Sequence, residues 1–163
     1  MRMKARIASP LATLLMATAA VAAAAAPVAA SAPPQQVSIV SHVTFNPNGP
    51  NYGDFTASGP AVDSGLLCRA GTFVDTSLRF GGFQGRPGFV EIQVGKTFTC
   101  GNATGTFDLK LQIRANLNTG METFNWVVLG GTGAYSTLAG VGDGSTVPNP
   151  PIGNINTYVG SVH

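Results

Sequence analysis

The chain has 163 residues, of which 44% are hydrophobic and only 10% charged, with a formal net charge of +2. So few charges exclude the basic footprint of a nucleic-acid or anionic-lipid binder. The 21 glycines exclude long helices, because each interior glycine costs about 1 kcal/mol against alanine.

The N-terminus is read separately from the rest. Arg2, Lys4 and Arg6 precede an apolar run from about Leu11 to Ala26, followed by Pro27-Val28-Ala29-Ala30-Ser31-Ala32. A positive start, an apolar middle and small residues at the cut form the layout of a secretory signal peptide. Val28 and Ala30 suit the positions that a signal peptidase reads, so residues 1–30 are expected to be removed. The apolar run is shorter than the ~20 residues that span a bilayer, and no membrane span is expected in the mature protein. Without residues 1–30, six Lys and Arg face seven Asp and Glu, a formal charge of −1. The apparent basicity belongs to the targeting segment, and the predicted location is extracellular.

Residues 31–36 read as a flexible leader, and residues 37–163 as one domain. Val37, Ile39, Val43 and Phe45 share one parity, with Ser38, His42 and Thr44 on the other, which is the alternation of a half-buried strand. The turn-rich run Asn46-Pro47-Asn48-Gly49-Pro50-Asn51 ends it. Tyr52 to Ser58 is a weaker strand. After Gly71, Val74, Leu78 and Phe80 are assigned to one face, and Phe73, Asp75, Ser77 and Arg79 to the other. The run from Gly81 to Gly88 is too rich in glycine for regular structure. Val90, Ile92 and Val94 alternate with Glu91 and Gln93, and Gly95 is expected at a bulge or bend.

The cleanest strand follows. Phe107, Leu109, Leu111, Ile113, Ala115 and Leu117 alternate with Thr106, Asp108, Lys110, Gln112, Arg114 and Asn116. Asn118-Thr119-Gly120 supplies a tight hairpin, and Met121 to Leu129 returns with Phe124, Trp126 and Val128. Next comes the most specific local pattern, Gly130-Gly131-Thr132-Gly133-Ala134-Tyr135-Ser136-Thr137-Leu138-Ala139-Gly140. It has no Lys or Arg and no room for a long helix, so a phosphate loop is rejected. Its glycines suit positive φ at a barrel corner, Thr132 suits the cap of one helical turn, and Tyr135 and Leu138 suit a plug. Val141 to Val147 and Asn154 to Val162 complete a count of about eight short strands. That spacing predicts an all-β fold, an eight-stranded antiparallel β-barrel, with an immunoglobulin-like sandwich as the alternative.

Cys68 and Cys100 are the only cysteines, and an oxidising compartment favours a structural disulfide between them. Neither makes metal-ligand spacing with His42 or His163, so no metal site is assigned. His42 alternates with the apolar parity and is expected to face solvent, as are Asp108, Lys110 and Arg114. No catalytic triad, nucleophile elbow or cofactor motif is present. Candidate ligand contacts are Arg79, Arg86, Glu91 and Arg114. The first two flank or lie in the 81–88 loop, which would act as a lid over a barrel mouth with an Arg holding a carboxylate.

Four pieces taken in order carry a family resemblance. They are Ser64-Gly65-Leu66-Leu67-Cys68-Arg69-Ala70-Gly71, Lys96-Thr97-Phe98-Thr99-Cys100 with Gly105-Thr106-Phe107, the Gly130 to Gly142 stretch, and Tyr158-Val159-Gly160. Together they resemble the allene oxide cyclase barrel-like superfamily, and plant dirigent proteins share a similar Gly-Gly-Thr-Gly stretch. The resemblance covers most of residues 37–162. It implies a calycin-like barrel and, for an enzyme, a cofactor-independent cyclase or isomerase acting on an apolar substrate within it. It assigns no catalytic residue. The turn Gly101-Asn102-Ala103-Thr104-Gly105 departs from the Asp-Gly-Ser-Gly turn common in relatives. The expected function is a secreted barrel that binds a small apolar ligand or a surface partner, with catalysis inside the barrel or a purely structural role as alternatives.

Overall fold

A computed structural model describes residues 33–81, 87–151 and 153–163. The predicted signal peptide, Arg86 and most of the 81–88 loop lie outside the described residues. Eight antiparallel strands run in chain order: β1 (Gln35–Thr44), β2 (Tyr52–Ser58), β3 (Ala70–Phe80), β4 (Phe89–Cys100), β5 (Thr106–Asn116), β6 (Glu122–Gly131), β7 (Gly140–Pro148) and β8 (Gly153–Val162). Each pairs with the next, and β8 closes on β1 from Gln35↔Val162 to Thr44↔Gly153. A closed circuit removes the sandwich alternative, which requires open sheet edges. β1 begins two residues before the expected boundary, because Gln35 and Gln36 find ladder partners in Val162 and Ser161.

The two ends of the barrel are built differently. At the lower end, the short helix α1 (Pro60–Asp63) buries Ala61 and Val62. The Cys68–Cys100 disulfide lies close by, with Cα atoms 5.9 Å apart, inside the range for an unstrained bridge. The glycine-rich corner closes the rest of this end. Gly130 and Gly133 take φ of 109° and 58°, which only glycine adopts freely. A 3-10 turn at Gly133–Tyr135 then buries Tyr135 and Leu138. Thr132 precedes this turn but does not cap it through its side chain. Its hydroxyl instead accepts the Thr106 N–H at 3.1 Å and bonds the Thr106 hydroxyl at 2.9 Å, tying the corner to β5.

Above the plug the interior is aromatic. Phe98 stacks on Phe73 and Phe107, with ring centroids 5.4 and 4.9 Å away, and meets Phe55 edge-on at 5.1 Å. On the facing wall, glycine makes room for rings. A Cβ at Gly144 would fall 2.2 Å from the Phe124 ring, and one at Gly142 would fall 2.6 Å from Trp126. The thinning of β7 by glycine therefore follows from aromatic side chains of β6 lying across its inner face.

β3 carries the main correction to the sequence reading. Its register against β4 shifts between Asp75 and Ser77, opposite Gly95, so the bulge expected at Gly95 falls on the partner strand. Phe73 and Asp75 face inward before the bulge. Beyond it, Leu78 pairs with Val94 and Phe80 with Ile92, so both share the inner face. A single expected parity for β3 fails because one extra residue resets the alternation.

Candidate functional site

The upper end holds polar side chains where period-two alternation predicts apolar ones. Ser41 on β1 pairs with Asn156 on β8, Asn156 with Thr146 on β7, and Thr146 with Glu122 on β6. These four share the inner parity, so they form one polar row across four adjacent strands. Thr146 donates to Asn156 Oδ1 at 2.9 Å, and Asn156 Nδ2 donates to the Tyr158 hydroxyl at 3.4 Å. Tyr158 is fully buried against Phe98 and Phe124, and burial pushes its hydroxyl up to about 12. The Ser41 hydroxyl is also fully buried. It approaches Tyr158 without hydrogen-bond geometry and has no partner among the described residues. A buried hydroxyl left unpaired costs about 1–3 kcal/mol, so the row has unused hydrogen-bonding capacity.

β3 and β4 complete the polar belt. Lys96 faces inward with 4% of its side chain exposed and bonds the Asp75 carboxylate. Its ammonium also lies 4.6 Å from the Phe73 ring centre, in cation–π range. Asp75 is held from the other side. Asn51 Nδ2 donates to its Oδ2 at 3.1 Å, and its own N–H donates to the Asn51 carbonyl at 2.8 Å. The loop after β1 thereby fixes the carboxylate that pairs with Lys96. Burial lowers the Lys96 pKa, and the attraction of Asp75 opposes that shift. Glu122 is raised, first by desolvation, with Thr146 and Lys96 pulling the other way. It makes no ion pair within 4 Å among the described residues.

Apolar side chains stand above this belt. Leu78 and Phe80 lie on the inner sheet face, yet they are 53% and 68% exposed. Phe45 and Leu117 continue the inner parity of β1 and β5 and are also exposed. Inward-facing side chains that still meet solvent mark this end as open. β3 also extends here beyond its last partner on β2, the Tyr52↔Val74 pair.

The residues proposed from sequence lie elsewhere. Arg79 pairs with Gln93, and Glu91 with Arg114, all on the outer parity. Glu91 and Arg114 form an exposed cross-strand contact of 4.0 Å and line an outer-wall groove of about 520 Å³. Arg79 lines a second outer groove of similar volume, together with Asp108 and Lys110. The barrel wall thus separates all three from the polar belt: the β3 bulge sends Arg79 outward, and plain alternation on β4 and β5 does the same for Glu91 and Arg114. His42 is exposed and meets Asp54 at 3.2 Å on the outer face.

The belt residues missed from sequence carried a readable signal. Ser41, Lys96, Glu122 and Asn156 each sit on an otherwise apolar parity, with Val43, Phe98, Phe124 and Tyr158 as respective neighbours. Asp75 was obscured by the bulge. No helix among the described residues is long and apolar enough to cross a membrane, which does not bear on the strands. Comparison with protein-family models, curated proteins and solved structures finds no match.

Proposed function

We propose that this is an exported barrel that binds a small amphipathic ligand through its open upper end. The polar head would enter towards the belt, and the apolar body would rest on Leu78, Phe80 and Phe45. One observation carries this reading: inward-facing apolar side chains remain exposed directly above a buried polar row whose Ser41 hydroxyl has no partner among the described residues. Pockets for small ligands combine these elements, mostly apolar walls with a few convergent polar groups. The lower end, where Tyr135 and Leu138 are buried, supplies rigidity. Export is supported by the N-terminal charge and hydropathy pattern and by the Cys68–Cys100 bridge.

The resemblance to allene oxide cyclase-like barrels supports a second reading, a cofactor-independent cyclase or isomerase. The observation favouring it is that Asp75, Lys96, Glu122 and Tyr158 are titratable and face inward. The test common to both is fluorescence of the neutral apolar probe N-phenyl-1-naphthylamine. The folded protein is expected to bind it with a blue shift, and the Leu78→Asp, Phe80→Asp double variant is expected to lose that signal. A folded wild type that leaves the probe in water would sink both readings and favour a structural module.

A further inference from the structure

The belt also contains information about the charge of the head group. Among the described residues, three charged side chains face the interior: Asp75, Lys96 and Glu122. Asp54, Arg79, Glu91, Asp108, Lys110, Arg114 and Asp143 take the outer parity of their strands. The single inward cation, Lys96, is already committed to Asp75. Among the described residues, Glu122 therefore remains a half-buried carboxylate without a counter-ion.

The groups beside Glu122 offer acceptors that a cationic head can use. Thr146 donates to Asn156 but also stands within reach of Glu122, so its one hydroxyl proton serves either partner and its lone pairs remain free. Asn156 donates one of its two amide protons to Tyr158, so the row keeps donors as well as acceptors. Glu122 offers acceptors when ionised. The Ser41 hydroxyl, at the other end of the row, can accept as well as donate. An ammonium group carries three donors and no acceptor. A carboxylate would find Glu122 repelling it and no uncommitted inward cation among the described residues.

We propose that the open end selects amphiphiles with an ammonium head, which docks on Glu122 beside Thr146 while the apolar body lies on Leu78 and Phe80. This inference rests on the ligand-binding reading above and assigns its charge class. Pairing the desolvated carboxylate with a cation removes the penalty that raises the Glu122 pKa, so binding of an amine should release a proton from whatever fraction of Glu122 is protonated. Asp75, Lys96 and Tyr158 are the other titratable groups facing the same space. Of these, Lys96 acts on Glu122 in the opposite sense, by favouring its ionised form.

The experiment compares three probes with the same ten-carbon chain: decylamine, decanol and decanoate. Each displaces N-phenyl-1-naphthylamine from the full protein at pH 7. Decylamine is expected to bind about tenfold tighter than decanol, and decanoate most weakly. Glu122→Gln keeps size and polarity, and it should bring decylamine down to the level of decanol while leaving decanol unchanged. Asp108→Asn, on the outer wall, should change none of the three. If decylamine binds no better than decanol, or if Glu122→Gln keeps the preference, the amine assignment is overturned and the ligand-binding reading survives. If none of the three binds to folded wild type, both fall together. Should Glu122→Gln fail to fold, the ranking of the three probes on wild type decides by itself.

Discussion

Replacing Lys96 by methionine tests whether the polar belt is built around a true buried ion pair. Lys96 and Asp75 expose only 4% and 10% of their side chains. Methionine keeps most of the aliphatic stem against Phe73 but removes the ammonium. Asp75 would then retain the Asn51 amide as its side-chain partner and would lie almost buried with an uncompensated charge. Breaking one side of such a pair costs about 3–5 kcal/mol. That is a large share of the roughly 5–15 kcal/mol that holds a domain folded. With a urea m-value of about 1.5 kcal/mol/M, the unfolding midpoint should fall by about 2–3 M. Adding Asp75→Asn should recover much of the loss, because the second change removes the stranded charge and leaves an amide able to bond Asn51. The pH dependence has a definite sign. Burial lowers the folded-state pKa of Lys96 below 10.5, so between that lowered value and 10.5 the unfolded chain binds more protons. Wild-type stability should therefore rise with pH through that window, and Lys96→Met should lose this component. The measurement is urea unfolding of wild type, both single variants and the double variant. A Lys96→Met loss below about 1 kcal/mol, or a double variant worse than Lys96→Met, would refute the reasoning.

Three further outcomes are expected. Glu122 is raised in the folded protein, so its contribution to stability is present below the unfolded value of 4.5 and is lost as pH rises through its folded value. Urea midpoints between pH 4 and 8 should show that decline in wild type and a flatter profile in Glu122→Gln; equal slopes would contradict it. Gly144→Ala places a methyl group against the Phe124 ring and the Thr157 carbonyl, where an ideal Cβ would come within 2.2 and 2.6 Å. Such overpacking should cost about 1–3 kcal/mol, read as a fall in thermal midpoint, and an unchanged midpoint would mean that the ring has room to move. Cys68→Ser with Cys100→Ser opens a loop with a sequence separation of 32. Chain entropy then predicts a loss of about 3–4 kcal/mol, which reduction of wild type by dithiothreitol should reproduce.

Much of the barrel was legible because its strands obey period two over long stretches. β5 is the clearest case, with Phe107 to Ala115 inward and Asp108 to Arg114 outward, as alternation predicts. The Cys68–Cys100 bridge followed from compartment chemistry, and the plugging role of Tyr135 and Leu138 followed from the glycine corner around them. The polar belt was harder to read for two physical reasons. A lone polar residue on an apolar parity, such as Ser41 between Ile39 and Val43, looks the same in sequence whether it faces a cavity or a frayed end. Only the register shows that Ser41, Asn156, Thr146 and Glu122 stand in one row, although they are far apart in the chain. The second reason is the bulge in β3. It hides Asp75 and displaces Arg79, because alternation continued across an extra residue gives the wrong face for everything after it.

The two ends of the barrel explain each other energetically. A buried ion pair such as Asp75–Lys96 adds little net stability, and a hydroxyl such as that of Ser41, unpaired among the described residues, subtracts from it. A fold selected only for stability would fill the upper interior with the leucine and phenylalanine used lower down. The lower half can carry that deficit. It combines a disulfide, a cluster of stacked and edge-on rings around Phe98, and a corner whose glycines let Gly131 and Gly133 pack directly on the Thr106 and Thr104 carbonyls. Rigid packing at one end thus holds costly polar groups in register at the other, which is how preorganised sites are commonly supported. The Gly130 to Gly140 corner contributes no side chain to the polar belt. Its part is to close and stiffen the end of the barrel opposite Glu122.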